Sequence, residues 1–200
     1  DDFRRVSFQR EGVFTPEELA GRLAEAEQVL CIVNTRKRAQ QVYEDLPEEG
    51  RFHLSTLMIP TDREETLNVI RARLRNGQVC RVVSTNLVEA GVDVDFPSVW
   101  RELAGLDSIL QAAGRCNREG KRSAAESVVH VFDAEGAPPL SMMQQREAAT
   151  EVMGEFEEIN TRPAIRAYFN RLLWVKGDDA LDEKQILNSE RACTFRKTAE

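Results

Sequence analysis

Two hundred residues, 42% of them hydrophobic, can bury a core of about one domain plus an appendage, and no stretch is long or apolar enough to span a bilayer. A net charge of −7 disfavours non-specific nucleic-acid binding over the whole surface, so any such contact has to be local. Four cysteines (Cys31, Cys80, Cys116, Cys193) stand far apart with no C-x-x-C pair, and only His53 and His130 are there to join them, which predicts buried, reduced thiols in a cytoplasmic protein and no metal site.

The chain opens at Asp1 with no basic n-region or apolar h-region and reads as an excised soluble piece. Thr15-Pro16-Glu17-Glu18 sets a cap, a first-turn proline and an acidic third residue in order, predicting a helix towards Gln28. Val29 to Val33 reads as a buried strand, Asn34-Thr35 as a turn and cap, and Arg36 to Leu46 as a helix stopped by Pro47. A strand over His53 to Met58 precedes a helix opened by a capping box at Thr61 and Glu64, carrying Leu67, Ile70 and Leu74 and closed at Gly77. Strands follow at Cys80 to Ser84, Ser98 to Glu102 and Ser127 to Phe132, with a helix capped by Asp107 running to Asn117. This alternation predicts an α/β fold, a parallel sheet with helices on both faces and ligands beyond the carboxyl ends of its strands. Past Asp133 the register changes at Ala137-Pro138-Pro139, and helices near Met142 to Ile159 and Arg162 to Val175 lead into a polar stretch that reads as ending mid-structure. The domain boundary is placed near residue 136, with 1–136 as the α/β lobe and 137–200 as a helical linker towards a further C-terminal domain.

Three segments carry chemistry. In Asp107-Ser-Ile-Leu-Gln111-Ala-Ala-Gly114-Arg115-Cys-Asn-Arg118, helical spacing puts Gln111, Arg115 and Arg118 on one face and Ile109, Ala112, Ala113 and Cys116 on the opposite one. Rigidly held guanidinium groups suit a transferring phosphoryl; surface ion pairs with Glu89, Glu102 or Glu119 fit the spacing equally well. In Val82 to Pro97, the hydroxyl of Thr85 and the amide of Asn86 at a strand's carboxyl end suit phosphate oxygens, Gly91 permits close backbone approach, and Asp93 suits a ribose hydroxyl; an ordinary strand-to-helix turn is the alternative. Asn34-Thr35-Arg36-Lys37-Arg38 adds donors and cations at a helix start, either a phosphate-backbone site or a solvated face.

In this order the segments resemble motifs IV, V and VI of superfamily 2 helicases. The run STNLVEAGVDVDFPSVWRELAGLDSILQAAGRCNREG, Ser84 to Gly120, is similar to the second RecA-like motor lobe of the helicase-nuclease of type I CRISPR systems, as are LSTLMIP at 54–60 and the terminal FRKTAE. That family more often carries glutamine where Asn86 stands. The resemblance implies that Arg115 and Arg118 meet the γ-phosphate of ATP, with Gln111 beside them and Asp93, with Gly91, near the nucleotide, while Asn34, Thr35, Thr85 and Asn86 hold single-stranded DNA. It further implies that ATP and Mg2+ are held mainly by a first RecA-like lobe, that a separate histidine-aspartate nuclease domain cuts the DNA, and that a CRISPR surveillance complex recruits the whole protein. No G-x-x-x-x-G-K-[ST] and no His-Asp dipeptide occurs in the chain, which is therefore expected to be inactive alone. A lobe of another superfamily 2 helicase and a stand-alone α/β binding module are the alternatives.

Overall fold

The computed structural model describes residues 5–55, 57–85 and 93–181, with side chains as far as 173. Six parallel strands form one sheet: β1 (Ser7–Phe14), β2 (Gln28–Ile32), β3 (Arg51–Leu54), β4 (Cys80–Ser84), β5 (Ser98–Glu102) and β6 (Val128–Ala134), in the order β1-β6-β5-β2-β4-β3. The helices are α1 (Pro16–Ala24), α2 (Arg36–Asp45), α3 (Pro60–Arg75), α4 (Leu106–Ala113), α5 (Met143–Glu155) and α6 (Arg162–Leu181).

β2 shows why the sheet is buried on both sides. Its alternate residues Leu30 and Ile32 join a core with Ile70 of α3, Ile109 of α4 and Val152 of α5, while Val29 and Cys31 face Leu19 and Leu23 of α1 and Val42 of α2. The later helices belong to the first of these cores, because Ala148, Ala149 and Val152 of α5 and Ala164 and Tyr168 of α6 are packed within it. At Gly105 a Cβ would fall onto the carboxylate of Asp107 and the hydroxyl of Tyr168, which donates to that carboxylate at 2.9 Å; the glycine thus gives α6 its seat on the start of α4.

Several boundaries differ from the expectation. The Thr15 capping box is present, but α1 stops at Ala24 and Gln28 belongs to β2, its amide donating to Arg73, Leu74 and Gln78 carbonyls. α3 begins at Pro60 after Ile59, with no side-chain cap, since proline's fixed φ suits the first helical position and moves the start ahead of Thr61. β3 covers Arg51–Leu54 only, and β1 is an additional edge strand beside β6, bulged between Arg10 and Val13.

His53 on edge strand β3 stacks on Tyr43, and its Nε2 is buried without a hydrogen-bond partner. Burial lowers its pKa from the ordinary 6.5, so below that pH the unfolded chain takes up the proton first. Stability is therefore intact above the ordinary value and falls as the pH drops through it towards the folded one. Urea unfolding at neutral pH and about one unit below the ordinary histidine value measures this loss. His53→Phe is expected to flatten the slope, and an identical slope would refute the assignment.

Candidate functional site: two ends of one sheet

β2 and β5 are neighbours whose onward connections, to β3 and to β6, run towards opposite edges of the sheet. Such a switch opens a crevice at the carboxyl ends. Asn34 and Thr35 follow β2, and Thr85 follows β4, so three of the four residues expected to hold DNA share that end of the sheet. The fourth, Asn86, and Gly91 lie outside the described residues.

Thr35 is the N-cap of α2, its hydroxyl accepting from the Arg38 N–H at 3.3 Å. Arg36 and Lys37 stand exposed in the first turn. Asn34 is differently employed: its Nδ2 donates to the Leu103 carbonyl at 3.0 Å, its Oδ1 accepts from Arg101 Nη1 at 2.7 Å, and its backbone N–H donates to Glu102 Oε2 at 2.8 Å. Arg38 is drawn inward as well, donating from Nη1 to Glu102 Oε1 at 2.7 Å, so the three-residue cation run divides into two exposed members and one half-buried one.

The arginine segment corrects the expectation of one long helix. α4 ends at Ala113; Gly114 is its C-cap, and Gln111, Arg115 and Arg118 do not share a helical face. Asp107 is not the cap, for Gly105 holds that position. The reason lies beyond the helix, where Phe96 N–H donates to the Arg115 carbonyl at 2.9 Å and Asn117 N–H to the Phe96 carbonyl at 3.0 Å, so the chain leaves the helix to bridge back onto the segment before β5. The expected apolar set survives this, because Ile109, Ala112, Ala113 and Cys116 are all buried.

α4 leaves the carboxyl end of β5 and, at about 1.5 Å per residue, delivers Arg115 and Arg118 near the amino ends of β5 and β6. The arginines and Asp93 consequently lie at the opposite end of the sheet from Asn34, Thr35 and Thr85, not beyond the carboxyl ends as expected.

At the amino end, Arg118 Nη1 lies 2.6 Å from Asp93 Oδ1, with both side chains substantially exposed. The Arg118 backbone is fastened separately: its N–H donates to Asp95 Oδ1 at 2.7 Å and its carbonyl accepts from Arg5 at 3.0 Å. Arg122 lies 3.3 Å from Asp95 Oδ2, giving that carboxylate a second partner. Asn117 turns the corner at φ 47° with a fully buried side chain, its Nδ2 donating to the Arg5 and Arg122 carbonyls and its Oδ1 accepting from the Arg122 N–H. Arg115 is half-buried; burial, then the nearby Arg118 charge, holds its pKa below the ordinary arginine value, with Asp93 opposing the shift. Arg118 is thus paired with an exposed carboxylate and a second guanidinium stands near enough to feel both charges, an arrangement that favours an incoming anion. Gln111 is exposed on the last turn of α4.

Asp95, Asn117, Arg101 and Glu102 escaped sequence reasoning as parts of the site. The D-x-D spacing of Asp93 and Asp95 was the available signal for the first, and the tolerance of asparagine for left-handed backbone the signal for the second. The thiols of Cys31, Cys80 and Cys116 are buried; burial pushes Cys80 and Cys116 up to about 12, which keeps them protonated.

The profile of the family described as CRISPR-associated nuclease/helicase Cas3, C-terminal, matches residues 25–121, from the approach to β2 through the arginine segment. A CRISPR-associated helicase Cas3 of Thermoproteus tenax is 27% identical over 72% of this chain and 24% of its own length. A CRISPR-associated nuclease/helicase Cas3 of Haloferax volcanii is 29% identical over 54% of this chain and 14% of its own length. The chain thus spans a quarter or less of these relatives. Among solved structures, T. fusca Cas3 with ATP superposes at a TM-score of 0.65 with 17% identity, over 97% of this chain and 26% of that one. The C-terminal domain of the DEAD-box protein Dbp5 superposes at 0.55 with 14% identity, over 76% and 88%. A chain from a CRISPR RNA-guided surveillance complex in a pre-nicking state does so at 0.59 with 17% identity, over 97% and 27%. The six-stranded parallel sheet is that of the RecA-like lobe in these Cas3 structures, and over residues 25–121 the chain is similar to the C-terminal region of the Cas3 nuclease/helicases.

Proposed function

We propose that this lobe is half of an ATP-driven motor that moves along single-stranded DNA during CRISPR interference, supplying arginines to the nucleotide and part of the DNA track. The observation that carries it is the ion pair of Arg118 with the exposed Asp93 carboxylate, near enough to the half-buried Arg115 for both charges to act on it, with the Arg118 backbone fastened independently of its side chain.

The donor set fits one side of a nucleoside triphosphate and no more. Two guanidinium groups suit phosphoryl oxygens and the exposed Gln111 amide suits a further one, while the sequence contains no G-x-x-x-x-G-K-[ST]. ATP with Mg2+, held chiefly by the first RecA-like lobe, supplies the transferable phosphoryl. Arg115 and Arg118 stabilise the charge on its oxygens, and Asp93, which keeps Arg118 in place beforehand, becomes available to a ribose hydroxyl, with Gly91 allowing close approach. Neither arginine helps until the other lobe presents the nucleotide, which makes this lobe inactive alone.

At the carboxyl ends, the hydroxyls of Thr35 and Thr85 and the amide of Asn86 bond the DNA backbone without reading sequence, Asn34 shapes the turn, and Arg36 and Lys37 add charge at the start of α2. The first lobe, a nuclease domain in the same parent protein and the CRISPR surveillance complex are its partners; residues 137–200 lead towards a further C-terminal domain, and the protein works in the cytoplasm.

The test is the salt dependence of single-stranded-DNA binding by the full-length helicase with Arg36→Gln and Lys37→Gln together, which leave the Thr35 cap intact. Each lost phosphate contact is expected to make the log–log slope shallower by about 0.7, or about 1.4 for the pair. An unchanged slope would remove α2 from the track.

A further inference from the structure

Glu102 is 1% exposed and Arg101 is fully buried, an unusual place for two charges unless each is held by several partners. Both point their polar atoms at the turn after β2. Glu102 receives the Asn34 N–H on one carboxylate oxygen and Arg38 on the other, while Arg101 Nη1 donates to Asn34 Oδ1. The next residue completes the arrangement: the Leu103 carbonyl accepts Asn34 Nδ2 at 3.0 Å and also Arg146 Nη1 at 2.7 Å. Arg146 belongs to α5, and its Nη2 is anchored 2.6 Å from Asp133 Oδ1 at the end of β6. One carbonyl is therefore shared by the turn of the DNA track and the first long helix after the sheet. A cavity of about 370 Å³, lined by Leu103, Asp133, Pro138, Met143 and Arg146, opens beside it.

We infer that Glu102 and Arg146 are positioning residues that hold the Asn34–Thr35 turn in its DNA-binding shape, and that Arg146 transmits the position of α5, and of whatever is attached beyond it, to that turn. This rests on the proposed DNA track at the carboxyl ends. Physically, the Asn34 N–H and carboxamide are satisfied by the end of β5 and the residue that follows it, and the Leu103 carbonyl among them is oriented in part by Arg146. Without Arg146 the Leu103 carbonyl is free to rotate away from Asn34, and Thr35 with it.

The experiment uses the full-length helicase with Arg146→Met, which removes both donors at similar length, and Arg146→Lys, which restores charge and one donor. Arg81→Met is the structural control: Arg81 bonds the Ala24 and Ala26 carbonyls at the amino end of the strands, away from the turn. Arg146→Met is expected to speed hydrogen exchange at the Asn34 and Arg38 amides and raise the half-saturating single-stranded DNA concentration about 5- to 10-fold, leaving ATP turnover at saturating DNA within about two-fold. Arg146→Lys recovers part of both, and Arg81→Met lowers the unfolding temperature without moving either. Unchanged exchange in Arg146→Met, equal acceleration in Arg81→Met, or faster exchange with unchanged DNA half-saturation would each overturn the inference. Failure of the motor reading shows separately, as a wild-type protein whose ATP turnover ignores single-stranded DNA.

Discussion

Arg118→Ala in the full-length helicase is expected to lower DNA-stimulated ATP turnover by about 10³ to 10⁵, the range an arginine finger contributes. The fold should hardly notice. The side chain's ion pair with Asp93 joins groups 42% and 77% exposed, and exposed pairs of this kind contribute about 0–1 kcal/mol. The backbone at Arg118 is kept in place by Asp95 and Arg5, neither of which the substitution touches. Arg118→Lys keeps the charge without the planar fork and is expected to recover little. Steady-state turnover at saturating DNA, with a thermal melt alongside, checks both halves. Near-normal turnover in Arg118→Ala would mean that this arginine is an ordinary surface cation.

Asn117→Ala acts through the loop that carries both arginines. Its fully buried carboxamide makes three hydrogen bonds, to Arg5 and twice to Arg122, and its backbone sits at φ 47°. At about 1 kcal/mol per bond and roughly 1 kcal/mol for a left-handed alanine, the loss of stability should be about 2–4 kcal/mol. Turnover should fall with it, because the corner that returns Cys116 to Phe96 also sets Arg115 and Arg118. Asn117→Gly relieves the backbone and not the hydrogen bonds, so it should recover about 1 kcal/mol and little turnover. Urea unfolding of the three proteins separates the contributions, and wild-type stability in Asn117→Ala would show that the corner is held by the bridge alone.

The buried strands were legible because both faces of a covered parallel sheet need apolar residues: β4 and β5 begin and end where Cys80 to Ser84 and Ser98 to Glu102 predict. β1 was not, since SFQREGVF on an edge carries exposed polar residues and a bulge, and no period marks it. α4 was overextended for a different reason. Ile109, Ala112, Ala113 and Cys116 keep helical spacing, but Cys116 is buried by a bridge to Phe96, a contact twenty residues back in sequence that no local pattern announces. Within the site, the residue types of Arg115, Arg118, Thr35 and Asp93 could be picked out by chemistry, whereas their distribution over the two ends of the sheet could not. It follows from the length of α4, and so from where the helix stops. Glu102 shows the limit most clearly: from sequence it was a surface partner for the arginines, and in the fold it is buried beneath Asn34 and paired with Arg38.

The half-motor is tested most directly by ATP hydrolysis with and without single-stranded DNA, measured for this chain alone and for the full-length protein in parallel. A silent chain beside a DNA-stimulated full-length enzyme is the predicted result, because the arginines have no phosphoryl to act on until the first lobe presents one. Turnover by the chain itself, surviving purification controls and Arg118→Ala, would reveal a complete nucleotide site within these two hundred residues and contradict the half-motor outright.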